Sequence, residues 1–338
     1  MNDPAAFRSA LDSALARRAS ILGSGVSDAV RLIAGDADGL DGVYLDRYGP
    51  GAVLALYQGR AVPEDVAAAS EVGTQMARVA LATLGKIGLR AVYLKPFARD
   101  RSHLGGIHPD LLSSPQPAAG EPLPESFLIT EHGTSLEVRL YDGFSTGLFL
   151  DQRENRRHLA RLASSHPGLR VLNTFSYTCA FSVACAREGA VTTSVDVSAR
   201  YLEWGKRNFH HNHVDPDSHR FAKMDTFEFL EYARRKSLQY DLIILDPPSY
   251  ASGNKRRGIP TWSAVDDYKR LVAAAAERLS GGGLIFASTN TGELCRPRRL
   301  EREITAGLGR NPEWLKLPEP PADFAAERDR FAARLFSP

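Results

Sequence analysis

The run DLIILDPPSY (241–250) places a carboxylate, two prolines and an aromatic ring close together in the chain. The apolar residues Leu242 to Leu245 predict a strand that ends at Asp246, because Pro247 and Pro248 cannot continue its hydrogen bonding. A carboxylate at the carboxyl end of such a strand lies where open α/β sheets bind ligands. Asp246 and the carbonyls of Pro247 and Pro248 could accept hydrogen bonds from a flat nucleobase, on which Tyr250 could stack.

The region from residue 143 to 338 has alternating strand-like and helical patterns, which predict a mostly parallel, doubly wound α/β sheet. The predicted strands are 170–173, 191–196, 219–223, 242–245 and 283–288, and the predicted helices are 153–165, 181–188, 199–210, 226–236 and 266–279. Residues 1–142 instead predict a small α+β domain with a helix at 5–22, short strands and a hairpin formed by 127–131 and 135–141.

Composition narrows the class of protein. A chain of 338 residues is long enough for two domains, and its net charge of +2 means that binding to nucleic acid would depend on local basic clusters. The three cysteines, Cys179, Cys185 and Cys295, have no metal-binding spacing, so we expect no metal site and a reducing, cytoplasmic environment. No signal peptide or membrane-spanning run is recognisable.

The first strand of the second domain leads into a helix through VLNTFSYTCAF (171–181), a turn of small polar residues. Backbone N–H groups at such a turn bind nucleotide-like ligands, but the absence of GxGxxG disfavours a dinucleotide and a dehydrogenase. We expect cofactor contacts from Asn173, Phe175, Ser176, Tyr177 and Thr178.

Carboxylates follow three consecutive strands of the predicted sheet, at Asp196, Asp225 and Asp246. Asp196 could bind both ribose hydroxyls of an adenosine, and Asp225 could also cap the next helix. An acidic edge repels phosphate and favours a ligand with ribose hydroxyls, an adenine amine and a positive centre, which S-adenosylmethionine combines. We therefore expect S-adenosylmethionine as the cofactor, with Val197 and Thr226 completing its site.

Four runs in order, GFSTGLFLDQRENRR (143–157), LNTFSYTCAF (172–181), VDVSARYLEWGKRNF (195–209) and LDPPSYASGNKRR (245–257), closely resemble the bacterial large-subunit ribosomal RNA methyltransferases. GDADGLDGVYLDRYG (35–49) resembles the small domain of that family, and the resemblance covers about residues 29–338. The resemblance implies a Rossmann-like class I methyltransferase fold. It also implies an enzyme that acts on 23S ribosomal RNA. The family loop normally has glycine in place of Cys179, so a tighter pocket for the methionine end of the cofactor is expected.

The resemblance extends to two branches, RlmK-like enzymes that form 7-methylguanine and RlmI-like enzymes that form 5-methylcytosine. The cytosine branch has its catalytic cysteine in a Ser-Cys-Ser run, where this chain has Ser288-Thr289-Asn290. C5 methylation of a pyrimidine needs a covalent nucleophile. Asn290 and the missing thiol therefore favour a guanine nitrogen, N7 or N2, as the target. Cytosine C5 methylation by a displaced Cys295 is the alternative.

RNA binding requires positively charged side chains near the edge of the sheet at which the active site is predicted. Arg153 and Arg156 lie on the helix that enters the catalytic domain, and Lys255-Arg256-Arg257 follows the DPPSY run. We predict that these residues bind RNA phosphates and that Asp246, Pro247, Pro248, Tyr250 and Asn290 hold the base. Methylation of a small molecule or protein, and a non-catalytic RNA-binding assembly factor, remain as other hypotheses, and the sequence leaves the oligomeric state open.

Overall fold

The computed structural model describes residues 4–57, 66–97, 114–143, 145–253, 261–327 and 329–338. The chain divides into two compact units, one formed by Met1–Leu150 with Pro321–Ala326 and the other by Asp151–Pro320 with Glu327–Pro338. The boundary between the two units lies after Leu150, whereas the sequence predicts a domain boundary after residue 142. In the part of the chain that the structure describes, no helix has the length and apolar character needed to cross a membrane.

The first unit is the small α+β domain expected from the sequence. Its helices pack on a five-stranded sheet of order β1-β2-β3-β4-β5, and β6 and β7 form the predicted hairpin. Phe7 and Leu11 of α1 pack with Leu54 and Met76 in its apolar core. The elements are α1 Pro4–Arg17, α2 Ala19–Gly23, β1 Ala29–Ala34, β2 Val43–Tyr48, β3 Gly51–Tyr57, α3 Val66–Leu84, β4 Ala91–Phe97, β5 Ala119–Gly120, β6 Phe127–Glu131 and β7 Thr134–Val138.

The second unit contains a seven-stranded sheet of order β10-β9-β8-β11-β14-β16-β15. Its elements are α4 Arg153–Ser165, β8 Arg170–Thr174, α5 Ala180–Arg187, β9 Val191–Asp196, α6 Ala199–His211, β10 Arg220–Lys223, α7 Thr226–Arg235, β11 Tyr240–Leu245, β12 Tyr250–Ala251, β13 Trp262–Ser263, α8 Ala264–Ala276, β14 Leu279–Thr289, α9 Arg299–Leu308, β15 Glu313–Leu315 and β16 Ala332–Ser337. The predicted doubly wound α/β sheet is thus confirmed.

The order of the strands determines where this sheet can bind a ligand. Five adjacent strands of this sheet, in the order β10, β9, β8, β11 and β14, run parallel to one another. From β8 the chain first builds outward through β9 to β10, and then returns to place β11 on the other side of β8. The strand order therefore reverses between β8 and β11, and the crevice at their carboxyl ends is the expected ligand site of such a sheet.

The central strands are apolar because both of their faces are covered by helices. Leu242, Ile243, Ile244 and Leu245 of β11 are all buried, so the whole run contributes to the core. The ladder stops at Leu245, directly before Pro247 and Pro248, as the sequence predicts.

The end of the sheet was not predicted. The strand β16 lies between β14 and β15 and is antiparallel to both. In the chain, α9 follows β14 and precedes β15 and β16. These strands form after a long connection rather than by βαβ alternation, so the local pattern does not reveal their partners.

Candidate active site

Asp196, Asp225 and Asp246 follow or end β9, β10 and β11, which places them at one edge of the parallel sheet. Each carboxylate accepts hydrogen bonds from a different set of donors. The three carboxylates therefore differ in which oxygen atoms could still accept a hydrogen bond from a ligand. The sequence placed them on the correct strands, and the structure adds how each is held.

Asp196 is fixed by two backbone N–H groups. Tyr177 N donates to Oδ2 at 2.9 Å and Ser198 N donates to Oδ1 at 2.8 Å. Burial raises the pKa of Asp196 above its ordinary value, and these two hydrogen bonds lower it in part. Both oxygens keep acceptor capacity, since a carboxylate oxygen can accept more than one hydrogen bond. The carboxylate could therefore accept from two adjacent hydroxyl groups, as ribose requires.

An apolar surface lies directly beside Asp196. Val197 is 45% exposed although it follows a strand whose interior is buried. An exposed aliphatic side chain next to a carboxylate could contact the base and ribose of an adenosine.

The loop after β8 has a strained backbone. Phe175, Tyr177 and Cys179 have φ values of 52°, 48° and 62°, in the left-handed region that residues other than glycine seldom adopt. Each such residue costs of order 1 kcal/mol or more and persists only where its surroundings enforce it. Ser176 N bonds to Val195 O at 2.9 Å, and Tyr177 N bonds to Asp196, so β9 holds the loop in this shape.

The side chain of Cys179 points into the core of the second unit. It is fully buried and packs in an apolar cluster with Val183, Leu202 and Phe209. A Cβ added at Gly205 of α6 would lie 2.4 Å from Cys179 Sγ, so Gly205 provides the space that the thiol occupies. The thiol of Cys179 therefore packs against α6, and the expected narrowing of the cofactor pocket stays a prediction.

Other predicted cofactor residues are buried around this loop. Asn173 Nδ2 donates to Ser182 Oγ at 2.9 Å, and Thr178 O accepts from Asn208 Nδ2 at 2.9 Å. Ser176 is also buried. These contacts fix the loop, so Asn173 and Thr178 could support the cofactor site through the loop's backbone.

Asp225 is the N-cap of α7. Its Oδ1 accepts from Phe227 N at 2.9 Å and from Glu228 N at 3.3 Å, and Thr226 is buried in the first turn. The capping role that the sequence left open is thus present. Its other carboxylate oxygen could still accept from an adenine amine.

Asp246 lies in a polar network that the sequence did not predict. Ser288 Oγ donates to its Oδ1 at 2.7 Å, and Gln152 Nε2 donates to the same atom at 3.1 Å. Among the described residues, none donates a hydrogen bond to Oδ2. Burial raises the pKa of Asp246, while Ser288, Arg156 and Gln152 lower it in part. The free oxygen is a hydrogen-bond acceptor for a ligand at the strand end.

The turn after Asp246 presents an aromatic ring. Tyr250 is 62% exposed and lies on β12, which pairs with β13 through Tyr250↔Ser263. Ser249 Oγ donates to Asn290 Oδ1 at 2.8 Å, so the structure brings Asn290 to the DPPSY turn. Asp246, Tyr250 and Asn290 therefore belong to one local surface.

Trp262 stabilises this turn through a hydrogen bond. The sequence did not predict this role. Its Nε1 donates to Pro248 O at 2.7 Å, which leaves that carbonyl one lone pair for a ligand. Its ring lies 5.6 Å from Phe175 and 6.1 Å from Phe227, measured between ring centroids. Trp262 thus connects the DPPSY turn with the loop after β8 and with the helix capped by Asp225.

Two predicted RNA contacts require correction. Arg153 and Arg156 are 0% and 3% exposed, so neither forms an open basic surface for RNA phosphates. Arg156 instead lies over the ring of Phe181 and lowers the pKa of Asp246. The helical pattern places these arginines on α4 but does not indicate which face is covered. Lys255, Arg256 and Arg257 lie outside the described residues.

The surroundings of Cys295 disfavour its thiolate form. Burial, and then the negative charge of Asp329, raise the pKa of its thiol to about 11. Its Sγ donates to Thr289 O at 3.6 Å. A covalent nucleophile reacts as the thiolate, and this environment disfavours the thiolate. The arginines next to Cys295 in the sequence do not activate it.

This chain is similar to known proteins in sequence and in structure. Residues 104–324 match a family described as S-adenosylmethionine-dependent methyltransferase. The ribosomal RNA large subunit methyltransferase of Deinococcus radiodurans is 32% identical over 320 residues, which cover 93% of this chain and 73% of that protein. Ribosomal RNA large subunit methyltransferase K of Neisseria meningitidis is 38% identical over 167 residues, 49% of this chain and 46% of that protein.

Among solved structures, SMU.776, named as a candidate methyltransferase and complexed with SAH, matches with a TM-score of 0.82 and 32% identity. The match covers 99% of this chain and 82% of that chain. The doubly wound sheet and its acidic strand ends are consistent with an enzyme that binds an adenosine-containing methyl donor. The chain belongs to the family of S-adenosylmethionine-dependent methyltransferases, and its cofactor is S-adenosylmethionine.

Proposed function

We propose that this enzyme methylates a guanine nitrogen, N7 or N2, of 23S ribosomal RNA in the cytoplasm. The names of its relatives support ribosomal RNA of the large subunit as the substrate. The observation that favours a base is the pairing of an acceptor with an aromatic ring, since Asp246 Oδ2 receives no hydrogen bond from the described residues and Tyr250 is exposed on the turn that follows it.

The proposed cofactor site comprises the loop after β8 and the three strand ends. Asp196 binds the ribose hydroxyls, Val197 packs against the adenine, and Asp225 accepts from the adenine amine. Asn173, the loop residues Phe175 to Thr178, and Thr226 complete the site. The cofactor supplies a methyl group on a positively charged sulfur, and the acidic residues at this edge favour that charge.

The proposed base site is the DPPSY turn. Asp246 Oδ2 and the carbonyls of Pro247 and Pro248 accept from N–H groups of the base, and Tyr250 stacks on its face. Asn290, held by Ser249, reads a second edge. Stacking of a base on an aromatic side chain contributes about 1–3 kcal/mol, which offsets the few kcal/mol needed to unstack the base from RNA.

A nitrogen target is consistent with the groups present. N7 of guanine already has a lone pair, so transfer requires alignment at about 3–3.5 Å and exclusion of water rather than a strong base. Carbon methylation of cytosine requires a thiolate, and the pKa of Cys295, raised to about 11, argues against that chemistry here.

RNA affinity is proposed to depend on Lys255, Arg256 and Arg257, which follow the base site in the sequence. The small α+β domain is proposed as an accessory RNA-binding domain.

The proposal can be tested by mass spectrometry of ribosomal RNA nucleosides from a deletion strain and its parent. We expect the loss of one methylated guanosine, restored by the wild-type gene and not by Asp246→Asn. Loss of 5-methylcytidine would overturn the nitrogen assignment. An unchanged set of nucleosides would exclude ribosomal RNA as the substrate.

A further inference from the structure

The side chain of Gln152 has an unusual use for a residue at a helix start. Gln152 is the N-cap of α4, yet its side chain makes no capping hydrogen bond to that helix. It is 2% exposed and instead reaches Asp246 and Ser288, both distant in sequence. A residue at this position normally satisfies the free N–H groups of its own helix. The side chain of Gln152 therefore serves the strand end rather than the helix.

The direction of the Gln152 amide is determined by its neighbours. An ionised carboxylate only accepts hydrogen bonds, so the group that faces Asp246 must be the NH₂ of Gln152. Its Nε2 donates to Asp246 Oδ1 and to Ser288 Oγ, each at 3.1 Å. Its Oε1 then faces Asn155, whose Nδ2 donates to it at 2.9 Å. Asn155 thus fixes the amide with its donor toward the carboxylate.

Ser288 completes a triangle with Gln152 and Asp246. Its hydroxyl accepts from Gln152 and donates to Asp246 Oδ1 at 2.7 Å. Its carbonyl accepts from the hydroxyl of Tyr268 at 2.9 Å, so the end of β14 is also held. Two donors on one oxygen restrain the rotation of the carboxylate and leave Oδ2 without a hydrogen bond from the described residues.

We propose that Gln152 is a positioning residue for methyl transfer, which with Ser288 binds Oδ1 of Asp246 and thereby presents Oδ2 to an N–H group of the target base. This inference rests on the proposed role of Asp246 in holding the base. It assigns a function to the DQR part of the DQRENRR run, in which Gln152 and Asn155 are three residues apart on the same side of the helix start.

The charges around Asp246 determine how the proposed role of this residue depends on pH. Burial raises its pKa, and Ser288, Arg156 and Gln152 each lower it in part. Burial, together with the charge of Asp246, raises the pKa of Tyr268 well above its ordinary value, so Tyr268 stays neutral. The ionised form of Asp246 is the acceptor. Activity is therefore lost as pH falls through its pKa, and removal of a donor moves this loss to higher pH.

The test is Gln152→Met, which keeps the length of the side chain and removes its donor. Gln239→Met is the matched control, because Gln239 is an exposed glutamine of the same unit. We expect the acid limb of the kcat/KM profile to move up by about one unit in Gln152→Met, which lowers kcat/KM about tenfold below the limb. Gln152→Glu, which places an acceptor against the carboxylate, should move it further, and Gln239→Met should not move it.

Further measurements separate a positioning role from a structural one. Thermal unfolding establishes that each variant is folded, and titration of the Asp246 carboxyl by ¹³C NMR, assigned with Asp246→Asn, reports its pKa without RNA. A folded Gln152→Met whose pH profile and carboxyl titration coincide with those of the wild type would overturn the inference. Absence of RNA methylation by the wild type would contradict the proposed function instead, and the carboxyl titration would still decide the contact with Gln152.

Discussion

The contact between Cys179 and Gly205 allows a prediction about the stability of the protein. This prediction does not depend on the cofactor. A Cβ at residue 205 would lie 2.4 Å from Cys179 Sγ and 2.9 Å from Cys179 Cβ. Carbon and sulfur atoms in contact lie more than 3.4 Å apart, so Gly205→Ala forces α6 or the loop after β8 to move by about 1 Å.

Two opposing effects determine the result of Gly205→Ala. Overpacking of a core costs about 1–3 kcal/mol. Replacement of a helical glycine by alanine returns about 1 kcal/mol. Because the added Cβ overlaps two atoms of Cys179, we expect an overpacking cost in the upper part of its range, about 2–3 kcal/mol, and therefore a net loss of about 1–2 kcal/mol in the free energy of unfolding. In the double variant Cys179→Ala/Gly205→Ala the removed sulfur leaves room for the added methyl group, so its loss should be smaller than the sum of the two single losses.

Chemical unfolding followed by tryptophan fluorescence measures these differences, since all three tryptophans, Trp204, Trp262 and Trp314, lie in the second unit. The double-mutant cycle should give a coupling of about 1–2 kcal/mol. Additive losses, or a Gly205→Ala variant as stable as the wild type, would refute the packing described for Cys179. Calorimetry should also find the cofactor affinity of Cys179→Ala within about twofold of wild type, because the thiol is buried against α6.

Three more substitutions test the site. Asp196→Asn should weaken cofactor binding in calorimetry by about 10–100-fold, since it removes a charged acceptor and sets an amide against the N–H groups of Tyr177 or Ser198; unchanged affinity would remove Asp196 from the ribose site. Cys295→Ala should retain methylation activity in a filter assay, and a loss of more than about tenfold would restore the covalent alternative. Trp262→Phe keeps an aromatic ring and removes the donor to Pro248 O. It should raise the KM for RNA several-fold and leave cofactor affinity unchanged, whereas an equal loss of both would mean that the ring supports the whole edge.

Much of the catalytic sheet follows from local sequence. Leu242 to Leu245 form a buried strand because they are an uninterrupted apolar run, and the two prolines end it. The placement of Asp196, Asp225 and Asp246 at one edge follows from parallel strands alone, since the carboxyl ends of such strands lie side by side. The α+β character of the first domain and its hairpin were also evident from residue periodicity.

Side-chain environments could not be obtained in this way. Arg153 and Arg156 have the spacing of a basic surface, yet they are buried, because burial depends on partners that are distant in the chain. Gln152 shows the same dependence, as its partners Asp246 and Ser288 follow it by 94 and 136 residues. Trp262 contacts Pro248 across a segment whose fold no short pattern specifies.

The DPPSY run illustrates both kinds of information. The sequence alone determined that a strand ends at Asp246 and that an acceptor and a ring follow, because proline geometry and apolar periodicity act over a few residues. The tertiary structure alone decided which oxygen of Asp246 receives the two hydrogen bonds, which residue binds Asn290 and which indole donates to Pro248. Hydrogen bonds between distant strands and helices form only when the chain is folded, so no local pattern contains them.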